Sequence, residues 1–399
     1  MSAVLLGTSM LKGQDKTDSM VIQKDFQFTF ITPLGTNGTN APKCVNKLSL
    51  NLLAGIAYGV DGLELGGFMN VVRKDVGGIQ LAGFANSVFA NVKGIQGAGY
   101  FNYTGGNLLG VQASGFTNVN LGKTTGGQFA GFVNYNGDSL YGAQLSGFAN
   151  CNVGDLKGAQ LAGFANYNHR SFYGLQGSGF VNVNRGNMKG AQLAGFGNLC
   201  FGDMEGMQVS GFVNVAKKVK GAQIGVLNVA DSVDGVSVGL LTIVKKGLHQ
   251  LEISADELFY TSLSLRTGTH KFYNVFTAGA SSRAGSFVWN MGYGIGTSFK
   301  IRENLRSDMS LTAQHVSKGL LFFGTSELYK FYWGVEYKLA NKCYIAMGPT
   351  FNLYVGDTLL PAYKTGYNGL APYSLLNETS ASGFNYKAWF GAKVALRFL

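Results

Sequence analysis

Apolar and polar positions alternate along this chain in two rhythms, and each predicts its own kind of β-structure. From about His249 onward, large apolar residues occupy every second position over long runs. Phe287, Trp289, Met291, Tyr293, Ile295 and Phe299 fall on one side of a run; Ser286, Asn290, Gly292, Gly294, Gly296, Ser298 and Lys300 fall on the other. Tyr329, Phe331, Trp333, Val335, Tyr337 and Leu339 alternate in the same way with Lys330, Tyr332, Gly334, Glu336 and Lys338. The last run sets Phe384, Tyr386, Phe390, Val394, Leu396 and Phe398 against Asn385, Lys387, Gly391, Lys393 and Arg397. Period two is the signature of a strand. These runs exceed the roughly 5–6 residues of an ordinary strand, carry aromatics near their ends and place glycine on the polar side, as transmembrane β-strands do. Eight such segments lie between His249 and Phe398, and two more precede them, FQFTFIT at 26–32 and KLSLNLLA at 47–54. Ten strands make the even number that single-chain barrels require.

The second rhythm is a repeat. Gly-aromatic pairs begin at Gly67, Gly83, Gly99, Gly115, Gly131, Gly147, Gly163, Gly179, Gly195 and Gly211, always 16 residues apart. Asn follows in register from Asn70 to Asn214, and Gln precedes from Gln80 to Gln208. The pattern decays at both ends: Glu64 stands where the first Gln belongs, and GAQIGVLNVA near Gly225 has lost a residue. Atypical end units are characteristic of stacked repeats. Sixteen residues are too few for a helical pair, so each repeat predicts one turn of a β-solenoid. Ten coils at about 4.8 Å would rise roughly 45–50 Å. In-register stacking puts amide on amide, allowing Asn and Gln ladders, while Gly106, Gly122, Gly154, Gly186 and Gly202 are expected at corners. A large barrel with one strand per repeat is disfavoured, because antiparallel neighbours would misalign the columns.

Two assignments of the inside stand open. One alternation set holds Gln160, Ala162, Phe164 and Asn166; the other holds Ala159, Leu161, Gly163, Ala165 and Tyr167. If the first set is inside, the Phe column is core. If the second is inside, Phe68, Phe84, Phe116, Phe132, Phe148, Phe164, Phe180, Phe196 and Phe212 form an exposed apolar stripe that needs a partner.

Composition narrows the classes. Among 399 residues, Gly reaches 59 and Pro only 5, with 46% hydrophobic and 13% charged residues. High Gly without a Gly-X-Y period, and with so much apolar material, argues against collagen and disorder. The net charge of +11 comes without a dense Lys/Arg run, so nucleic acid is not an expected partner. Cys44, Cys151, Cys200 and Cys343 include no C-x-x-C pair, which leaves zinc and redox readings without support. His169, His249, His270 and His315 are scattered, and no G-x-S-x-G, P-loop or dinucleotide motif stands in its required context. His315 near a strand end is the one candidate for a surface hydrolase, through a loop serine. The start, MSAVLLGTSMLKGQDKTDS, is similar to the second half of a secretory signal peptide.

The Gly/Gln/Gly-Phe/Asn columns, the lead-in ITPLGTNG at 31–38 and the stretch LNLLAGIAYGVDGLELGGFMNV from Leu50 together resemble a family of bacterial outer-membrane surface-repeat proteins, of Bacteroidota and spirochaete type. Their tandem repeats read G-x-Q-x-x-G-x-x-N. The resemblance covers most of residues 26–245 and implies an outer-membrane or surface location, without implying catalytic residues.

The expected architecture is all-β: a barrel of about ten antiparallel strands with an inserted β-solenoid of 16-residue repeats. The expected parts are a signal-peptide remnant or disordered start at 1–25, two barrel strands at 26–56, the solenoid at 57–245 and eight barrel strands at 246–399. The expected function is non-enzymatic: an outer-membrane protein of a Gram-negative cell, exported by a cleaved signal peptide, whose solenoid serves structure or protein interaction. Its partners are then membrane lipid and another outer-membrane or periplasmic protein. No cofactor, metal or catalytic residue is assigned. The alternative is a pore or transporter component with the solenoid as plug or periplasmic extension. The lumen-side Arg306, Asp308, Lys330, Glu336, Lys338, Lys393 and Arg397 carry both signs; they form a salt-bridged plug of a narrow barrel in the first reading and a selectivity lining in the second.

Overall fold

The computed structural model describes residues 20–283, 286–318, 326–358, 371 and 373–399; most of the expected leader at 1–25 lies outside them. The molecule is all-β, with a closed eight-stranded antiparallel barrel and a parallel β-solenoid of about 12 turns. It divides into two compact units, one through Leu175 and one from Gln176. The first consists of solenoid coils, and the second of further coils followed by the barrel.

One coil of the first unit shows the local logic. A seven-residue strand, Leu156–Ala162, turns at Gly163 and Phe164 into a four-residue strand, Ala165–Asn168. Successive coils pair in parallel and in register, Gln128 with Gln144 with Gln160, and Asn134 with Asn150 with Asn166. A single inserted residue would break every column at once, which accounts for the unbroken 16-residue spacing. Near the end of the array, Met204 pairs with Val219 and Leu227 with Leu241, so the coils shorten to 15 and then 14 residues while keeping their columns.

Glycine is required in two ways. The glycine that opens Gly-x-Gln has φ between 116° and 149° in every coil from Gly62 to Gly235, a region closed to other residues. At Gly78 a Cβ would also lie 2.0 Å from the carbonyl oxygen of Gly62. Gly122, expected to supply an unusual corner conformation, instead supplies space: its Cβ would stand 2.4 Å from the Gly106 carbonyl oxygen.

Residues 26–56 are not barrel strands. Ile22–Ile31 pairs in parallel with Cys44–Ala57, which pairs in parallel with Gly59–Gly66 and Met69–Val72. Phe26, Phe28 and Phe30 do face outward, but alternation defines a strand's two faces and not the direction of its neighbours. The inner row decides. Gln27, Asn46, Ser49 and Asn51 are buried, and Asn51 Nδ2 donates to Asn70 Oδ1 at 2.9 Å, joining this segment to the amide columns. The solenoid therefore precedes the barrel instead of being inserted in it, and the barrel has eight strands instead of ten.

Those eight strands are Leu248–Asp256, Thr261–Gly268, Tyr273–Arg283, Ser286–Arg302, Leu305–Lys318, Ser326–Ala340, Cys343–Asp357 and Phe384–Phe398. The last closes on the first through Leu251 opposite Phe398 and Ile253 opposite Leu396. Their polarity is inverted relative to a water-soluble barrel. Leu251, Ile253, Leu263, Leu265, Met291, Phe331, Trp333, Phe390 and Val394 point outward and are exposed, whereas Glu252, Arg266, Asp308, Lys330, Glu336 and Arg397 point inward and are buried. The last solenoid strand, Leu241–Val244, leads through residues 245–247 into the barrel. It is also tied to the barrel's outer wall. Asn274 Nδ2 donates to the Gly239 carbonyl at 2.8 Å, its Oδ1 accepts from Thr242 N at 2.9 Å, and Thr267 Oγ1 donates to the Thr242 carbonyl at 2.9 Å.

Candidate functional site: an exposed aromatic edge and a sealed lumen

The Phe column lies outside. Its members Phe68, Phe84, Phe116, Phe132, Phe148, Phe164, Phe180, Phe196 and Phe212 are 37–50% exposed, while the Gln and Asn columns are wholly buried. Neither alternation set survives intact, because the corner resets the alternation. A Cβ on Gly163 would stand 2.1 Å from the Gly147 carbonyl oxygen, so the chain turns there on glycine and swings Phe164 outward. Tyr100, in register after Gly99 and missing from the expected stripe, is a full member. In the first unit the rings from Phe68 to Phe164 stack with centroids 4.7–5.0 Å apart. In the second unit Phe180, Phe196 and Phe212 stack at 4.9 and 5.3 Å. The strand spacing of about 4.8 Å imposes this face-to-face geometry.

Behind the edge the core is polar. Within each unit the Gln Nε2 groups beyond Gln80 donate to the Gln Oε1 of the preceding coil, as Gln112 does to Gln96 at 2.8 Å and Gln144 to Gln128 at 2.9 Å. Within each unit the Asn Nδ2 groups before Asn228 donate the other way, as Asn86 does to Asn102 and Asn102 to Asn118, both at 3.0 Å. The same Asn amides reach across the wedge to strand carbonyls, Asn102 to Ala113 at 2.6 Å and Asn150 to Leu161 at 2.6 Å. The side chains thus satisfy backbone groups that an apolar filling would orphan. An apolar column, including Val76, Val92, Leu108, Leu140 and Leu156, fills the far end of the wedge.

The Gln ladder points toward the chain start, so its head needs an acceptor that need not donate. Glu64 is that head: Oε2 accepts from Gln80 at 2.7 Å and Oε1 from Asn51 at 3.0 Å. Burial outweighs these bonds and pushes its pKa up to about 7. An acid with a raised folded-state pKa binds its proton more tightly folded than unfolded, so stability is full below about pH 4.5 and falls as pH rises toward 7. The expected loss is about 3 kcal/mol between those limits. It is read from hydrogen exchange of strands Gly59–Gly66 and Val76–Ala82, corrected for intrinsic rates, and the slope should vanish in Glu64→Gln.

The barrel lumen is filled by its own side chains. Arg397 donates from Nε to Glu252 Oε2 at 2.6 Å and from Nη1 to Glu336 Oε2 at 2.7 Å, with Asp308 Oδ2 at 2.6 Å. Arg266 makes a fork to Asp308 at 2.8 and 2.9 Å and donates to Gln250 at 2.6 Å. Lys393 pairs with Glu252, Lys330 with Asp256, and Tyr273 donates to Asp308. A second layer, Leu258, Phe259, Val288, Val316, Leu328, Tyr354 and Trp389, packs beside these ions. The cavity left among the ions is about 20 Å³, room for about one water.

Of the lumen residues expected from sequence, Asp308, Lys330, Glu336, Lys393 and Arg397 converge in this cluster. Arg306 and Lys338 instead line a 210 Å³ space that also includes Leu248 and His270. Glu252, Asp256, Arg266 and Tyr273 were missed, although Glu252 and Arg266 alternate with Leu251, Ile253 and Leu265 and could have been found that way. His315 Nδ1 meets Glu327 Oε1 at 2.9 Å, on the outward face. The four cysteines are unpaired by disulfide, and no group of three His, Cys, Asp or Glu converges on a metal site among the described residues. Compared with known proteins, the chain matches no family model, no curated protein and no solved structure.

Proposed function

We propose that this chain is a non-enzymatic outer-membrane protein, a sealed β-barrel anchor carrying a solenoid whose aromatic edge serves structure and interaction. The observation that carries this reading is the inverted polarity of the barrel. Large apolar side chains cover its outside while an ion cluster fills its inside, an arrangement favourable in lipid and costly in water. An eight-stranded barrel has an interior just wide enough for side chains to fill, and the ion cluster does so. This supports an anchor over a pore.

Connection lengths support an orientation. On the rim where the solenoid enters, strands are joined by residues 269–272, 303–304 and 341–342; the opposite rim carries 257–260 and 284–285 and, much longer, 319–325 and 358–383 between strand ends. Outer-membrane barrels keep short turns on the periplasmic side, which supports entry of the chain into the barrel from the periplasmic rim. Membership of the repeat family with the Gly/Gln/Gly-Phe/Asn columns is part of the same reading.

Two measurements on the full chain test it. Protein extracted from outer membrane should migrate faster on gels before boiling than after, as closed barrels do. In planar bilayers it should give no conductance steps. Regular single-channel openings would replace the anchor with the pore reading, and mobility unchanged by boiling would remove the barrel anchor altogether.

A further inference from the structure

We propose that the aromatic edge of the second unit is a lipid-contacting edge. Phe180, Phe196, Phe212 and their successors Val226 and Leu240 sit in the leaflet around the barrel, and acyl chains, not a protein, cover them. This inference rests on the outer-membrane reading above.

Continuity with the barrel wall is the first argument. The column continues from Phe212 through Val226 to Leu240, all exposed. Gly239, next to Leu240, accepts from Asn274 Nδ2 at 2.8 Å and lies 3.4 Å from Tyr293 Oη, which itself accepts from Asn274 at 2.7 Å. Asn274 and Tyr293 belong to the outward faces of their strands, in the rows of Phe276, Met291 and Ile295. Asn274 is nonetheless fully buried, because the solenoid covers it. The aromatic edge therefore ends flush against the wall assigned to lipid.

Charge is the second argument. Residues 190–200, 206–216, 221–230 and 235–244 contain no Asp, Glu, Lys, Arg or His. The charges of these coils, among them Lys189, Glu205, Lys217, Lys218, Lys220 and Asp234, all fall in the intervening stretches. A charge placed in hydrocarbon costs at least about 2.5 kcal/mol, so its exclusion from one edge of four consecutive coils is what immersion requires. A merely water-exposed edge has no such requirement. The same uncharged stretches recur in the first unit, from residues 78–88 to 158–168.

Shape is the third. The rings project from the corner joining two strands, so the edge is a ridge. A ridge entering fluid acyl chains needs no matching surface, whereas two ridges from two copies would meet only along a line. Amphipathic elements of this kind lie in the interface with their apolar side some 5–10 Å deep.

The test uses the full chain in lipid nanodiscs, with Cys44, Cys151, Cys200 and Cys343 replaced by alanine and a nitroxide on Phe196→Cys. Parallel labels on Val335→Cys, on the barrel's outer wall, and Lys220→Cys, among the charges, serve as references. At 196 and 335 oxygen should relax the label several-fold more than a water-soluble nickel complex, with the order reversed at 220. Nickel dominance at 196 with oxygen dominance at 335 overturns the lipid edge and leaves the barrel reading standing. Dipolar broadening at 196 overturns it in favour of a second copy. Nickel dominance at 335 brings down both. If the cysteine-free chain does not assemble, Phe196→Trp in a Trp289→Phe, Trp333→Phe background gives the same distinction. Quenching by brominated lipid supports immersion, and quenching by aqueous iodide overturns it.

Discussion

Arg397→Met should destabilise the barrel by about 3–5 kcal/mol, the usual consequence of removing one partner from a buried ion pair. The guanidinium faces Glu252, Asp308 and Glu336 together, and each of these side chains is 1–4% exposed. Methionine would fill similar space and leave an excess of buried negative charge with no water to solvate it. Urea titration followed by the fraction of compact species on unheated gels reads the effect. Adding Glu252→Gln should recover part of the loss, because the two residues share one hydrogen bond and their effects are not additive. A midpoint for Arg397→Met that is indistinguishable from the parent would mean the cluster is hydrated and the lumen is not sealed.

Gly78→Ala and Gly77→Ala, one residue apart, should behave oppositely. Gly78 has φ 116° and its Cβ would lie 2.0 Å from the Gly62 carbonyl oxygen; a Cβ on Gly77 would meet nothing closer than Asp61 Oδ1 at 3.2 Å. Alanine at 78 must push two coils apart against their parallel hydrogen bonds, a change in the rare class above about 4 kcal/mol. Strands Gly59–Gly66 and Val76–Ala82 should then lose hydrogen-exchange protection, while Gly77→Ala leaves it within about 0.5 kcal/mol of the parent. Equal tolerance at both positions would contradict the coil packing.

Much of this architecture was legible from spacing alone. The 16-residue period, the amide columns and the eight late strands are all properties of one-dimensional pattern, and pattern is what stacked coils and alternating strands express. Three things were not legible, each for a physical reason. Residues 26–56 alternate like barrel strands, but parallel and antiparallel partners impose the same alternation. The outward Phe164 could not be placed, because Gly163 and Phe164 form a corner at which period two is interrupted. The ion cluster was half seen: Asp308, Lys330, Glu336, Lys393 and Arg397 stood out within long aromatic runs, while Glu252 and Arg266 sit in shorter strands with plainer aliphatic partners. Glu64, noticed only as an irregularity in a Gln column, has its reason in the direction in which that ladder donates.

The central claim is that the barrel turns its apolar side chains to lipid and seals its interior. The three native tryptophans test it directly. Trp333 points outward and is well exposed, Trp289 lies on the same outward face, and Trp389 is fully buried within the lumen. In nanodiscs containing brominated lipid, the parent's tryptophan fluorescence should be strongly quenched. In Trp289→Phe, Trp333→Phe the remaining emission from Trp389 should resist both brominated lipid and aqueous iodide. Quenching of the parent by iodide but not by brominated lipid would contradict the claim.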